Sequence, residues 1–378
     1  MKNLTLTFLY MEPEHLGKDV SCVPLCLGEK LGCEVHIVSL TSATNRTMPD
    51  RIDGVYYHRL FRRGDRSSGP YKYLFFWWYL IRNARKIDVF MRFHLSVPTM
   101  IEVMLYRMMN PKGKVYIKAD MGIGAEERLM ELPWVLRQAK RMLCRMGLAC
   151  ADAVSYETMA VYTRVSKPDS PFYGGGKFMF IPNGFDEKLL GRLAIEERSF
   201  EEKDNLMITV GRLADPVKNT DMLLRALART DLKGWKFCLI GPCDAVLEER
   251  AEQFFRDHPQ KRRSVVFTGP IYDKKELWEY YNRSKVFVLT SRGESSAIVL
   301  GESKRFRNYI ITTDVGSARD LIGDGRFGEY IPQDDDVELA RRLQNVIDGR
   351  TDIDIYGNWK SSEIAWENVL EPLVGKLR

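Results

Sequence analysis

Long apolar runs are missing from this 378-residue chain. The opening MKNLTLTFLYMEPEHLGKD has a short one, which meets Glu12 and Glu14 before it reaches the length of a signal-peptide core or a bilayer span. A cytoplasmic protein is expected. Paired cysteines are missing too: Cys22, Cys26, Cys33, Cys144, Cys150, Cys238 and Cys243 are odd in number, show no CxxC spacing and mostly lie in apolar stretches. They read as reduced core residues rather than as a metal site. No G-x-G-x-x-G follows the first apolar segment, where Phe8-Leu9-Tyr10-Met11 runs into EPEHLGKD, so the dinucleotide fingerprint is absent, which argues against an NAD-dependent dehydrogenase. A strong charge of one sign is also lacking. Lysine plus arginine exceed aspartate plus glutamate by 57 against 51, too small and dispersed an excess for nucleic-acid binding, though it favours phosphate-bearing ligands or an anionic membrane surface.

What is present is the composition of an ordinary globular protein, 45% hydrophobic and 29% charged, on a chain too long for one core and suited to two domains with a cleft. Short β-branched and aromatic runs alternate with longer amphipathic segments, the pattern of βα units around parallel sheets. The strand candidates of the first half are Leu4–Tyr10, Glu34–Leu40, Val55–Leu60, Ile87–Phe93, Lys114–Ala119, Ala151–Tyr156 and Lys177–Ile181. Those of the second are Asn205–Gly211, Lys236–Gly241, Ser264–Gly269, Lys285–Ser291 and Tyr309–Asp314. The expected class is α/β, with two doubly wound Rossmann-like domains at residues 1–183 and 205–350. The charge-dense stretch 184–204 is expected to be the linker, and residues 351–378 to carry a final helix, Trp359 to Lys376, that packs back across the domains.

Ligands of open α/β sheets bind at the carboxyl edges of the strands, so the loops there are where chemistry is sought. In Ser291-Arg-Gly-Glu-Ser-Ser-Ala-Ile-Val-Leu-Gly-Glu302 an apolar strand turns through glycine and serines into a helix. Glu294 lies in the turn, Ser295 or Ser296 is placed to cap the helix, and Glu302 falls inside it at a position expected to be partly exposed. Such a helix start favours an anionic phosphate, and carboxylates nearby suit sugar hydroxyls. In Val210-Gly-Arg-Leu-Ala-Asp-Pro-Val-Lys-Asn219, Arg212 and Lys218 project from one strand-end loop, where a guanidinium and an ammonium can neutralise a diphosphate without a metal ion. No Asp-x-Asp pair stands at a suitable strand end.

These residues resemble the retaining glycosyltransferases of family 4, with GT-B architecture. Glu294 and Glu302 match the family's spaced glutamate pair, Thr313-Asp-Val-Gly316 the strand and glycine after it, and Gly211-Arg-Leu with Lys218-Asn its phosphate-binding loop. Ile181-Pro-Asn-Gly-Phe-Asp186 and Ala151-Asp-Ala-Val-Ser155 match the end of its first domain. The resemblance covers residues 150–335 best. It implies Arg212 and Lys218 on the diphosphate, Glu302 on the ribose, and Glu294 with the amides of Ser295, Ser296 and Ala297 around the donor sugar. In the first domain it implies His94, ending Asp88-Val-Phe-Met-Arg-Phe-His94, near the donor sugar, and Gly17 with Lys18 in the first glycine loop. The family's usual histidine-aspartate pair after the fifth strand is replaced by Tyr116-Ile-Lys-Ala-Asp-Met-Gly122, which leaves Lys118 and Asp120 as candidates for the acceptor side.

The resemblance thus implies a metal-independent hexosyltransferase that passes a sugar from a nucleotide-diphosphate donor to a glycan, lipid-linked or small-molecule acceptor in polysaccharide or glycoconjugate synthesis. The alternatives are a nucleotide-sugar epimerase or phosphorylase on the same architecture, or a catalytically silent sugar- or lipid-binding protein. One segment stands outside this reading. Tyr71-Lys-Tyr-Leu-Phe-Phe-Trp-Trp-Tyr-Leu-Ile81, flanked by Arg62, Arg63, Arg66, Arg82 and Arg85, is read as a buried crossover helix, with contact to the inner membrane leaflet as the alternative. The basic run Arg137 to Arg145 is read as a solvated face.

Overall fold

The computed structural model describes residues 2–60, 71–122, 124–173 and 175–378, so Arg62, Arg63 and Arg66 lie outside the described residues. The chain divides into two compact units, Met1–Asp186 with Ala365–Arg378, and Glu187–Ile364.

In the first unit β1 (Lys2–Thr7), β2 (Cys33–Leu40), β3 (Arg51–Ile52), β4 (Val55–Leu60), β5 (Val89–Phe93), β6 (Lys114–Ala119), β7 (Ala153–Tyr156) and β8 (Phe178–Phe180) form one sheet in the order β3-β4-β2-β1-β5-β6-β7-β8. All pairs are parallel except the two-residue edge β3 on β4. The strands read as near-continuous buried runs because helices cover both faces. On one face α1 (Asp19–Leu31) packs Val20, Val23 and Leu27 against Leu4, Leu6 and Ile37. On the other, α2 (Lys72–Asn83), α3 (Val97–Met109) and α5 (Trp134–Cys150) pack Leu80, Val103 and Leu148 against Phe90, Val115 and Val154. The short α4 (Ala125–Met130) and α6 (Met159–Val165) complete the crossovers.

The second unit opens with α7 (Glu187–Leu193), followed by β9 (Asp204–Val210), α8 (Thr220–Arg229), β10 (Lys236–Ile240), α9 (Ala245–Asp257), β11 (Val265–Gly269) and α10 (Lys274–Arg283). Next come β12 (Ser284–Leu289), α11 (Ile298–Arg305), β13 (Tyr309–Thr313), α12 (Ala318–Ile322), β14 (Gly328–Ile331) and α13 (Asp336–Ile347). Its all-parallel sheet runs β11-β10-β9-β12-β13-β14, the doubly wound order in which the direction of winding reverses between β9 and β12.

Every strand expected from the sequence is present, Val55–Leu60 and Lys114–Ala119 with the expected ends and the others with shifted ones, and two more appear. β3 is too short to carry a pattern, and Gly328-Glu-Tyr-Ile of β14 has only two strand-forming residues, so its pairing with β13 decides it. The stretch 184–204, expected to be the linker, makes ion pairs with the second unit. Its carboxylates Glu187 and Glu197 clasp the buried guanidinium of Arg305, with Nη2 2.9 Å from Glu187 Oε2 and Nη1 2.8 Å from Glu197 Oε2. Lys203 is buried at its end and donates to the carbonyls of Phe306 (2.7 Å) and Ser284 (3.0 Å), while burial pulls its pKa down to about 7. Part of the charge density that suggests a linker thus seats Arg305.

The single helix expected over Trp359 to Lys376 is also broken. A 3-10 turn at Ser361–Ile364 precedes α14 (Trp366–Val369) and α15 (Glu371–Leu377), and Pro372 falls in the first turn of α15, where a missing N–H costs nothing. Residue 365 pairs with Phe185 in an isolated parallel bridge, and Trp366, Leu370, Leu373, Val374 and Leu377 join the core around α1. Gly184 of the Ile181-Pro-Asn-Gly segment is glycine because an added Cβ would stand 2.7 Å from the Trp366 ring.

Candidate functional site

The reversal of winding in the second unit splays the chain on either side of the carboxyl ends of β9 and β12, and both loops singled out in the sequence start there. β9 hands over to Gly211, whose N–H donates to Ile240 O (3.0 Å). Gly241, at φ 150°, presses so close that an added Cβ would fall 1.7 Å from Gly211 O, so only glycine permits this approach of the two strand ends. Asp215 then caps a 3-10 turn, Pro216–Lys218, by accepting from Val217 N (3.0 Å). Thr290 Oγ1 donates to Lys218 O (2.9 Å) and Arg292 N to Val217 O (2.7 Å), which stitches the β12 loop to the β9 loop.

The stitching brings Lys218 and Glu294 together across 76 residues of sequence: Lys218 Nζ lies 2.5 Å from Glu294 Oε1, and both side chains are largely buried. Ser291 Oγ donates to the same oxygen (2.7 Å). Arg212 stays at the rim, 77% exposed, with Nη2 2.8 Å from Asp215 Oδ2. A third loop closes in through Gly316 at φ 52°, where an added Cβ would meet the carbonyls of Glu294 and Ser295 at 2.9 Å. The glycine after Thr313-Asp-Val is needed by geometry.

Two expectations about α11 need correction. Neither Ser295 nor Ser296 is its N-cap; the chain stays non-helical through Ala297 (φ −76°, ψ 90°), which takes the cap position without a side-chain hydrogen bond. Glu302 is not partly exposed. It is 5% exposed, and its Oε1 accepts from the indole Nε1 of Trp278 (3.0 Å) and from the ammonium of Lys274, both on α10. Burial, and then the Glu302 charge, push the pKa of the neighbouring Tyr281 hydroxyl well up. The Lys274–Trp278 lid was not found from the sequence, because it joins Glu302 to a helix 24 residues upstream that carries no motif.

In the first unit the winding reverses between β1 and β5, and again the predicted residues lie at those strand ends. Gly17 (φ 75°) precedes Lys18, the exposed N-cap residue of α1. His94 leaves β5 in the left-handed region (φ 63°), its N–H bonded to Lys118 O (2.9 Å), which aims its half-exposed ring at Asp120, Nδ1 to Oδ2 3.6 Å. The other oxygen of Asp120 is buried without a hydrogen-bond partner. Lys118 has a different job from the acceptor contact expected of it. It is fully buried, its ammonium held by Asn183 Oδ1 (2.9 Å), Asp19 Oδ2 (3.2 Å) and the carboxylate of Glu157, so it ties β6 to α1 and to the segment after β8. Nothing local in the sequence marks Asp19, Glu157 and Asn183 as its partners.

Residues 192–360 match the family described as glycosyl transferases group 1. The chain is 34% identical over 159 residues to the GalNAc-alpha-(1->4)-GalNAc-alpha-(1->3)-diNAcBac-PP-undecaprenol alpha-1,4-N-acetyl-D-galactosaminyltransferase of Campylobacter jejuni, a match covering 40% of this chain and 42% of that protein. It thus spans about two fifths of the length of that relative. In fold it is similar to the sucrose-phosphate synthase of Thermosynechococcus elongatus, with TM-score 0.70 at 16% identity over 100% of this chain and 98% of the other. Anabaena Alr3699/HepE in complex with UDP gives TM-score 0.69 at 15% identity, over 100% and 99%. The match to group 1 glycosyl transferases thus falls on the second unit, whose switch-point loops hold Lys218 against Glu294, and the two parallel-sheet units have the fold of these solved structures.

Proposed function

We propose that the protein is a retaining, metal-independent glycosyltransferase that moves a sugar from a nucleotide-diphosphate donor to a glycan or lipid-linked acceptor in polysaccharide or glycoconjugate assembly. The observation that carries this reading is the Lys218–Glu294 pair at the reversal of winding, with Arg212 in the same loop. A sugar nucleotide has two parts to hold, an anionic diphosphate and a neutral polyol, and the site offers cations for one and a carboxylate for the other. Both contacts to Glu294 fall on Oε1, so Oε2 is the oxygen left to accept from a sugar hydroxyl. Buried Glu302 takes the ribose, and His94, oriented by Asp120, is the residue of the first unit assigned to a substrate sugar.

As the bond to the anomeric carbon breaks, negative charge grows on the departing diphosphate, where Arg212 and Lys218 stabilise it. A leaving oxygen on the same face as the incoming acceptor can take the acceptor's proton, so retention needs no enzyme base. Two cations facing the diphosphate do the neutralising that a divalent ion does elsewhere, and the relative that acts on a diphospho-undecaprenol-linked glycan favours a lipid-linked acceptor.

The test is turnover. Arg212→Ala and Lys218→Ala are each expected to lower kcat and kcat/KM together by about 10²–10³, with the double variant short of the product because both residues serve one charge. Folded single variants with near wild-type kcat would remove the loop from the site. EDTA is expected to leave the rate unchanged, and the product's anomeric configuration, read by NMR, to match the donor's. A thermal-shift screen of UDP-, GDP- and ADP-sugars identifies the donor, because a ligand bound only to the folded state raises its stability.

A further inference from the structure

A helix that covers a sheet normally turns apolar residues to the core and polar ones to water. In α5 the core side is Cys144, Gly147 and Leu148, as that rule requires. The opposite side breaks it. Val135, Ala139, Met142 and Met146 recur at steps of four, three and four, which sets them on one stripe, and all four are exposed, Val135 at 67% and Met142 at 64%. Trp134, 66% exposed, and Leu136 widen the stripe where the helix begins. The 17 residues of α5 contain four cations, Arg137, Lys140, Arg141 and Arg145, and no carboxylate.

The same features recur on α2. The read-out of a buried crossover helix holds for Phe76 and Leu80, but Tyr71, Leu74, Trp78 and Ile81 form an exposed stripe at steps of three, four and three. The Arg82 guanidinium lies over the Trp78 ring at 4.0 Å, and no carboxylate occurs from Lys72 to Lys86. Between α2 and α5 lies α3, packed on both, with Met108 exposed and its one carboxylate, Glu102, buried against Arg92. Across the three helices, then, apolar side chains face outward, Arg82 and Arg145 are exposed, Arg137, Lys140 and Arg141 are half-buried at the flanks, and no carboxylate is exposed.

We propose that this helical layer of the first unit, centred on α5, docks on the surface of a bilayer containing anionic phospholipid. Tryptophan and tyrosine suit the boundary between headgroups and acyl chains, and the flanking lysines and arginines keep their charges at the phosphates while their stems cover apolar surface. Among the described residues no helix is long and apolar enough to cross a membrane, so α5 lies along the surface. A second copy of the chain is disfavoured as the occupant because a two-fold contact through this layer sets cations against cations with no carboxylate to answer them.

The test uses the full chain and vesicles of phosphatidylcholine alone or mixed with phosphatidylglycerol, read by co-sedimentation. Binding is expected on the mixed vesicles, at least about tenfold weaker on phosphatidylcholine alone, and weakened by about 0.5 M NaCl. Brominated lipid is expected to quench fluorescence in the wild type and less in Trp134→Phe. Val135→Ser with Met142→Ser, and separately Arg141→Glu with Arg145→Glu, are expected to lose about tenfold or more in binding with an unchanged thermal transition, since these side chains are exposed or at the flank. Absence of binding to the mixed vesicles, or equal binding by these variants, overturns the proposal. So does a lipid-free dimer in sedimentation velocity that Met142→Glu dissolves, which assigns the face to a second copy.

Discussion

At the scale of single residues, the candidate site is a set of ion pairs already made before any substrate arrives. Lys218 holds Glu294 and Lys274 holds Glu302, so each carboxylate is fixed in one orientation by a cation whose own position is set by a short loop or helix. Glu302 gives the sharper prediction because it is buried. Glu302→Ala removes the Glu302 acceptor from the buried Trp278 N–H, at a cost of about 1–3 kcal/mol, in addition to removing the carboxylate proposed for the ribose. Glu302→Gln keeps an acceptor oxygen for Trp278. Both variants are therefore expected to weaken donor binding in calorimetry, while only the alanine variant loses stability on that scale in urea unfolding. An alanine variant as stable as wild type would show that the Trp278 contact carries no weight. The sequence marks Glu302 as chemically important, but its burial depends on how α10 packs over α11, which no local pattern records.

At the scale of elements, α13 shows how a charged helix start is made. Asp335 caps it by accepting from Glu338 N (2.8 Å), and Glu338 in turn accepts from Arg341 (2.6 Å) and Arg342 (2.7 Å) on the next turn. The Arg341 hydrogen bond is the main reason that the Glu338 pKa falls to about 2; partial burial opposes it and Arg342 adds to it. A folded-state pKa below the unfolded one means that the pair stabilises fully above the unfolded carboxyl range and is lost as pH falls toward 2. Because Arg341 is 54% exposed, solvent screening limits the contribution to about 1 kcal/mol or less. Glu338→Gln is expected to be less stable by that amount at neutral pH, with the difference vanishing at acid pH, as denaturant titrations across pH will show. A constant difference at all pH values would deny the pair its electrostatic role. The elements themselves were legible where periodicity was long, as in α2, and illegible where a strand exists only because a neighbour pairs with it, as in β14.

At the scale of the molecule, the path of the chain out of the second unit and back into the first is the feature with the largest energetic consequence. Trp366, Leu370, Leu373, Val374 and Leu377 are buried against α1, and at about 1.5–3 kcal/mol for each large apolar side chain they contribute roughly 7–15 kcal/mol to the first unit. That is comparable to the whole stability of a typical domain, about 5–15 kcal/mol. Deleting residues 365–378 is therefore expected to abolish the calorimetric transition of the first unit while leaving that of the second, residues 187–364. Survival of both transitions would mean that these helices are accessory. The sequence alone determined the alternation of strands and helices, the α/β class and the loops that hold Arg212, Lys218 and Glu294 ahead of Glu302, because strand periodicity, turn glycines and loop chemistry are written in neighbouring residues. Only the tertiary structure decided that Lys218 meets Glu294, that Lys118 and Glu302 are buried, that 184–204 is clasped by Arg305, and that α2 and α5 turn apolar stripes outward. Each of those depends on which residues distant in sequence the sheets bring into contact, and hydrophobicity written along a chain does not say which side of a helix the core will take.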